Sequence, residues 1–235
     1  MPNGVPVVVL DDYDCVPRLV RNKGGVMALE YYTNPMSRGL IGHWMLEEVG
    51  QPYQTTWLSW GPTGNKSPEY LKINPMGKVP TLIHDGRVVT EAAAVCMYLA
   101  EAFPEAGLKP SLEHLADYYR WILFCAGPIE QAVTTKAMGW EVAAERRGTL
   151  GFGSYDEAVS ALEGLCKTRD YVCGARFSAA DVYVGSTVSW GVNFGTLPTL
   201  PAFMAYNERV VARPAHQRVQ ELCAAKAAEL KIAKS

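Results

Sequence analysis

Between Ala28 and Phe103 the apolar residues change period several times, and each change marks an element. Ala28-Leu29-Glu30-Tyr31-Tyr32-Thr33 reads as a strand, and Asn34 to Gly39 as a turn. Leu40, Ile41, Trp44, Met45 and Val49 then form one stripe of a helix from Gly39 to Val49, which Gly50 ends. Tyr53 to Trp60 is the next extended piece, followed by an irregular helical stretch. Thr81-Leu82-Ile83-His84 and Arg87-Val88-Val89 flank Asp85-Gly86. That dipeptide is a strong hairpin signal, because a type I′ turn needs positive φ at both central residues. Thr90-Glu91 opens a helix to about Phe103, with Val95, Met97, Tyr98, Leu99 and Phe103 at near-helical spacing. Thr90 is its expected cap, and Pro104 stops it.

Strand, helix, strand, irregular helix, proline-led strand, strand, helix is a βαβ unit joined to a ββα unit. Crossover handedness leaves few layouts other than the thioredoxin-like one. After the linker Pro104-Glu105-Ala106-Gly107-Leu108-Lys109-Pro110 there is no convincing strand. Residues 111–137 predict one long helix, with Tyr118, Trp121, Ile122, Cys125 and Ile129 on one side. Further helices are expected over 140–147, 154–167, 179–193 and 202–227, the last kinked or broken at Pro214. The expected fold class is therefore α/β plus all-α. A thioredoxin-like domain covers 27–103 and an all-helical domain covers 110–230. Residues 1–26 stand apart as an N-terminal extension. Val5-Pro6-Val7-Val8-Val9-Leu10 lacks the early positive charge and longer apolar core of a signal peptide, and three aspartates follow at once.

Pro80 stands where a strand is about to begin. Proline cannot donate to a sheet ladder, so it belongs at a strand's first residue or on an edge. Most such bonds are trans, yet X-Pro is the one linkage where cis is cheap, at roughly 0.5–1 kcal/mol. A cis Val79-Pro80 bond would turn the N–H and C=O of Val79 outward, ready to pair with an extended peptide ligand. The hairpin and the helix start that follow favour that reading.

Composition narrows the field. The 235 residues are 49% hydrophobic and 20% charged, as in a soluble globular protein. A net charge of -2 argues against a nucleic-acid footprint, and no run approaches a membrane span. The six cysteines include no Cys-x-x-Cys pair and read as reduced, buried thiols. The four histidines form no ligand spacing, so no metal is expected.

Several segments together resemble the cytosolic glutathione S-transferase family, in its bacterial form with a serine-like turn. They are Tyr32-Thr33-Asn34-Pro35-Met36-Ser37-Arg38, Leu46-Glu47-Glu48-Val49-Gly50, Ser67 to Pro80 with its Asn-Pro-Met-Gly-Lys-Val-Pro core, and Thr90-Glu91. Phe177-Ser178-Ala179-Ala180-Asp181 and the stretch Tyr206 to Arg218 continue the likeness, which spans roughly 27–220. The resemblance implies glutathione as co-substrate, an apolar small-molecule electrophile, a homodimer and a cytoplasmic setting. It implies that Ser37 holds the glutathione sulfur as thiolate, which an unperturbed thiol of pKa near 8.5 does not supply by itself. On the residues alone the plain N-cap serine is the favoured reading of Ser37. Asn34, Arg38 and a backbone N–H of the turn compete for the role, and no cysteine occupies it.

By the same resemblance Val79, with Lys78 and Pro80, pairs with the cysteinyl part, and Glu91 with the N–H of Ala92 holds the γ-glutamyl end. Ala92 departs from the family's serine or threonine, losing a hydrogen bond of about 0.5–1.5 kcal/mol. Lys66 is a candidate for the glycyl carboxylate, or simply solvated. Tyr118 and Trp121 are candidate pocket residues, although an aromatic stripe at helical spacing more often belongs to the core. Glutathione-dependent peroxide or disulfide reduction, and a non-catalytic binding module, are the alternative functions.

Overall fold

The computed structural model describes residues 29–230. The N-terminal extension and Cys15 lie outside the described residues. Four strands, β1 (Leu29–Thr33), β2 (Tyr53–Trp57), β3 (Thr81–His84) and β4 (Arg87–Thr90), form one sheet in the order β2-β1-β3-β4. β1 runs parallel to β2 and antiparallel to β3, and β3 pairs antiparallel with β4. β1 alternates as a half-buried strand should, with Leu29, Tyr31 and Thr33 inward. β3 is buried along its whole length. Asp85 and Gly86 turn the hairpin with φ of 49° and 80°, as the type I′ reading requires. Helices α1 (Gly39–Val49), α2 (Pro68–Ile73) and α3 (Ala92–Ala102) complete the first domain. Gly50 ends α1 in the left-handed region at φ 72°.

The second domain contains α4 (Leu115–Phe124), α5 (Glu130–Ala137), α6 (Tyr155–Thr168), α7 (Ala179–Asn193), α8 (Pro201–Val211) and α9 (Pro214–Glu229). This is the thioredoxin-like plus all-α architecture anticipated from the sequence. Four local expectations need correction. Thr90 is not a cap: it is the last residue of β4, opposite Thr81, and Glu91 takes the cap position without a side-chain cap bond. β2 stops at Trp57, after which the Leu58 N–H donates once more to the Thr33 carbonyl at 2.7 Å and the chain leaves the sheet. The helix over 111–137 is interrupted at Cys125–Ile129 by one wider π-type turn containing Pro128. Proline has no N–H to continue the ladder, and a widened turn absorbs the mismatch. Residues 140–147 form no α-helix; a 3-10 helix runs Ala144–Thr149. That stretch is almost wholly exposed, and a helix with no apolar face to bury gains little from tertiary packing.

One apolar core runs through both domains, joining Trp44, Met45 and Leu99 of the first to Ile122, Val184 and Val188 of the second. α1 packs on α7 and α9, and α3 on α7. Glu47 and Glu48, from the Leu-Glu-Glu-Val-Gly block, reach across this junction. Arg213 donates bidentately to Glu48 at 2.6 and 2.7 Å, and Arg218 donates to Glu47 at 2.8 Å.

Candidate functional site

The sheet register gathers the motif residues at one end of the molecule. Tyr32 and Thr90 both stand opposite Thr81, and Thr33 lies beside Trp57. The segments leaving β1, β2 and β4 and the one entering β3 therefore emerge together. They are the Asn34–Arg38 turn, the 58–66 loop, Glu91 with the start of α3, and Val79-Pro80.

The Asn34–Arg38 turn is tightly wired. Asn34 is buried: its Nδ2 donates to the Leu58 carbonyl at 2.8 Å, and its Oδ1 accepts from the Met36 N–H at 2.9 Å. Its amide braces the turn from within rather than facing a ligand. The Ser37 hydroxyl donates to the Asn34 carbonyl at 2.7 Å and accepts from the Gly39 N–H at 3.0 Å. Ser37 is half-buried, one residue before the cap position of α1, which Arg38 occupies. The Arg38 guanidinium is partly exposed and forms an ion pair with Glu130 of α5 at 2.8 Å. The N–H groups of Gly39, Leu40 and Ile41 donate to the Ser37 hydroxyl, the Ser37 carbonyl and the Arg38 carbonyl, so what α1 adds where it begins is the partial positive charge of its N-terminus.

The second wall is built around Val79. The Val79-Pro80 peptide bond is cis. The Lys78 carbonyl accepts from the Tyr70 hydroxyl at 2.6 Å and from Asn74 Nδ2 at 2.9 Å. Tyr70 and Asn74 also reach the Thr81 hydroxyl, at 2.8 and 3.3 Å. Asn65, itself buried, donates to the Gly77 carbonyl at 2.8 Å, and Lys66 Nζ donates to the Met76 carbonyl at 2.7 Å. The residues around Val79 are thus fixed from both sides, whereas the Val79 backbone makes no hydrogen bond among the described residues. Lys78 projects into solvent. Tyr70, Asn74 and Asn65 are supports that sequence reasoning assigned no role; Asn74 stood inside the quoted motif, but nothing marked it as a brace.

Glu91 forms the third wall. It is exposed and held at φ 66°, ψ 120°, unusual for a residue with a Cβ. Such backbone costs on the order of 1–3 kcal/mol and persists where surroundings impose it, often at ligand clamps. Ala92 follows, buried, at the start of α3, whose first N–H groups suit a carboxylate.

Beside the Asn34–Arg38 turn opens a cavity of about 380 Å³. Arg38 and Ile41 line it on one side, Val133, Thr134 and Met138 on another, and Tyr183, Trp190 and Phe194 of the α7 segment on a third. Tyr118 and Trp121, the expected pocket residues, are elsewhere. They are 2% and 6% exposed, on the face of α4 that packs against α7. The Tyr118 hydroxyl and the Trp121 indole N–H are enclosed without a partner among the described residues. The helical stripe that drew attention to them is the stripe that buries them. α7 supplies the pocket instead, and because it is apolar on nearly every face, its sequence does not distinguish pocket side from core side.

Known proteins share this organisation. A family model described as glutathione S-transferase, N-terminal domain, matches residues 40–102. The chain is 28% identical to glutathione S-transferase GST-4.5 of Xanthomonas campestris pv. campestris, over 78% of this chain and 93% of that protein. It is 30% identical to glutathione S-transferase A of Pleuronectes platessa, over 72% of this chain and 80% of the other. The solved structure of a sphingomonad glutathione S-transferase complexed with glutathione superposes with a TM-score of 0.66 at 25% identity, covering 83% of this chain and 98% of that one.

Proposed function

The chain belongs to the glutathione S-transferase family, and we propose that the three walls at the end of its sheet hold glutathione while the adjoining cavity holds the electrophile. It is a transferase of glutathione sulfur. The single observation that carries the site assignment is the convergence of the Ser37 turn, the unpaired Val79 backbone and the α3 N-terminus at one sheet end. In this reading Val79 pairs through its N–H and C=O with the cysteinyl segment. Glu91 takes the γ-glutamyl amine, and the N–H groups at Ala92 take its carboxylate. Lys66 faces the glycyl carboxylate. No serine or threonine hydroxyl assists at Ala92, so the backbone carries that end.

Sulfur binds beside Ser37. The hydroxyl has one proton, and against the Asn34 carbonyl it already serves the turn. Turning that proton to a thiolate exchanges a neutral acceptor for a charged one, and hydrogen bonds to ions are the stronger kind. The helix N-terminus adds to the same effect. The thiolate then attacks an apolar electrophile in the cavity.

We place the reaction in the cytoplasm, in the detoxification of such compounds, by a homodimer. Free, buried cysteines at all five described positions support a reducing compartment. Leu112, Tyr119 and Leu123 expose apolar surface along and just ahead of α4, which supports a second copy covering that face; sedimentation tests it.

The test of the site is Ser37→Ala. A bond to a charged partner contributes about 1.5–3 kcal/mol and one pKa unit is about 1.36 kcal/mol, so the pKa of bound glutathione should rise by about one to two units. Ultraviolet absorbance of the bound thiolate against pH reports it, and affinity for glutathione should change little. An unchanged titration would make Ser37 a turn-forming residue only and pass the role to the backbone N–H groups or Arg38.

A further inference from the structure

Among the described residues two charged side chains line the cavity beside the Ser37 turn, one of each sign. Arg38 comes from the domain that carries the sheet and Glu130 from α5, and they form an ion pair at 2.8 Å. Three threonines add hydroxyls, two of them engaged with backbone. The Thr187 hydroxyl donates to the Tyr183 carbonyl at 3.0 Å, and that of Thr196 to the Gly191 carbonyl at 3.5 Å. Thr134 sits half-buried on the α5 wall. Burial raises the pKa of the Tyr183 phenol, which lines the same cavity; Glu130 raises it further and Arg38 lowers it. Both charges therefore act within the cavity, and with opposite sign.

Without Glu130 the cavity would carry net positive charge. Arg38 occupies the cap position of α1, where the helix adds partial positive charge and an acidic side chain is the more favourable choice. Its countercharge comes from the other domain. We propose that Glu130 is a specificity-determining residue: by neutralising Arg38 it reserves the cavity for uncharged electrophiles and turns away those that carry a carboxylate. This role rests on the reading of Ser37 and the glutathione walls given above. An anionic electrophile has to separate the guanidinium from Glu130 or lie beside that carboxylate, and a like charge set against the wrong ligand is a recurrent means of discrimination. An uncharged electrophile meets the apolar wall of Ile41, Val133, Trp190 and Phe194 and leaves the pair intact. A pair as exposed as this one contributes little to stability, so its charges can serve selection at small cost to the fold.

Glu130→Gln tests this, because glutamine keeps an oxygen for the Arg38 guanidinium and removes the charge alone. Two glutathione conjugations are compared, of benzyl chloride and of 4-(chloromethyl)benzoate. In both, the thiolate sulfur bonds to the benzylic carbon and chloride leaves with the electron pair; the second compound differs in its carboxylate. The ratio of kcat/KM, anionic over neutral substrate, should rise about tenfold in the variant at low ionic strength, the figure for one unit charge near a solvated surface. That ratio cancels any change in the thiolate, which both reactions share. Adding Arg38→Gln to the same chain should return the ratio to within about twofold of wild type, since the two substitutions act through one pair. An unchanged ratio in Glu130→Gln would overturn the proposal, and so would a rise that persists in the double variant. Wild-type protein that prefers the carboxylated compound would overturn it too. Wild-type protein that neither holds glutathione as thiolate nor conjugates benzyl chloride removes the parent reading, and this role with it.

Discussion

His43 lies wholly buried where α1, β2 and α9 meet. Its Nε2 is 3.1 Å from the Thr55 hydroxyl, Cys223 Sγ is 3.9 Å from Nδ1, and the rings of Tyr31 and Trp57 pack against it. Among the described residues no carboxylate bonds to the imidazole; Glu47 acts through its charge. Burial therefore dominates and pulls its pKa down to about 4, with Glu47 partly opposing. An unfolded histidine titrates near 6.5. Between those values the unfolded chain binds the proton and the folded one does not, so stability is fully present above about 6.5 and is lost as pH falls toward 4. The gap corresponds to about 3 kcal/mol. Asp181, raised to about 6 by burial against its hydrogen bonds, works in the opposite sense, losing stability as pH rises through that range. Urea unfolding of wild type and His43→Gln at several pH values cancels the Asp181 contribution. The stability difference, wild type minus variant, should fall by about 2 kcal/mol from pH 6.5 down to 4.5; parallel curves would show that the folded protein accepts the proton at His43 without penalty.

At the scale of elements, the start of α7 shows how a short motif fixes a helix. Asp181 is fully buried and accepts from the Val172 N–H at 2.7 Å, the Ser178 N–H at 2.9 Å, the Ser178 hydroxyl at 3.0 Å and the Tyr206 hydroxyl at 2.9 Å. One carboxylate thereby ties the helix start to the preceding loop and to α8. Asp181→Ala strands several buried donors, each worth about 1–3 kcal/mol when left unmatched, so a loss of at least about 3 kcal/mol is expected in thermal or urea unfolding. A loss under about 1 kcal/mol would mean that water or a relaxed loop replaces the carboxylate. This element was legible beforehand, since Ser-x-x-Asp ahead of an apolar run announces itself. So was the strand and helix order of the first domain, because each run had its own period and punctuation. The pocket was not legible. Its composition depends on which face of α7 meets α5, and an apolar helix read alone has no marked face. Residues 140–147 misled for the reverse reason, as adequate local propensity with nothing to pack against. Site supports such as Asn65, Tyr70 and Asn74 act through backbone carbonyls distant in sequence, which pattern reading does not reach.

For the whole molecule, the central question is whether the two domains unfold as one. The sheet domain has no separate core: α1 and α3 bury their faces against α7 and α9, and Phe103, Trp44 and Val184 belong to one continuous apolar cluster. Among the described residues three charged links span the junction, Arg213–Glu48, Arg218–Glu47 and Arg38–Glu130. Arg218 and Arg38 are more than half exposed and stabilise little. Arg213 is the exception, since its bidentate partner Glu48 has a side chain only 7% exposed and also accepts from the Trp44 indole at 2.9 Å. Removing the guanidinium leaves a nearly buried carboxylate unpaired, a loss measured elsewhere at about 3–5 kcal/mol. Solvent reaching the partly exposed Arg213 side lowers that to about 2–3 kcal/mol. For a protein of this size each kcal/mol moves Tm by roughly 2–4 °C, so Arg213→Ala should melt roughly 4–12 °C below wild type. Tryptophans report on both domains, Trp44 and Trp57 in the first and Trp121 and Trp190 in the second. If the shared core couples the domains, tryptophan fluorescence and far-ultraviolet dichroism will shift together in one transition, in wild type and variant alike. Two separated transitions in Arg213→Ala, with only one displaced, would show that the salt bridge and not the core holds the domains in register.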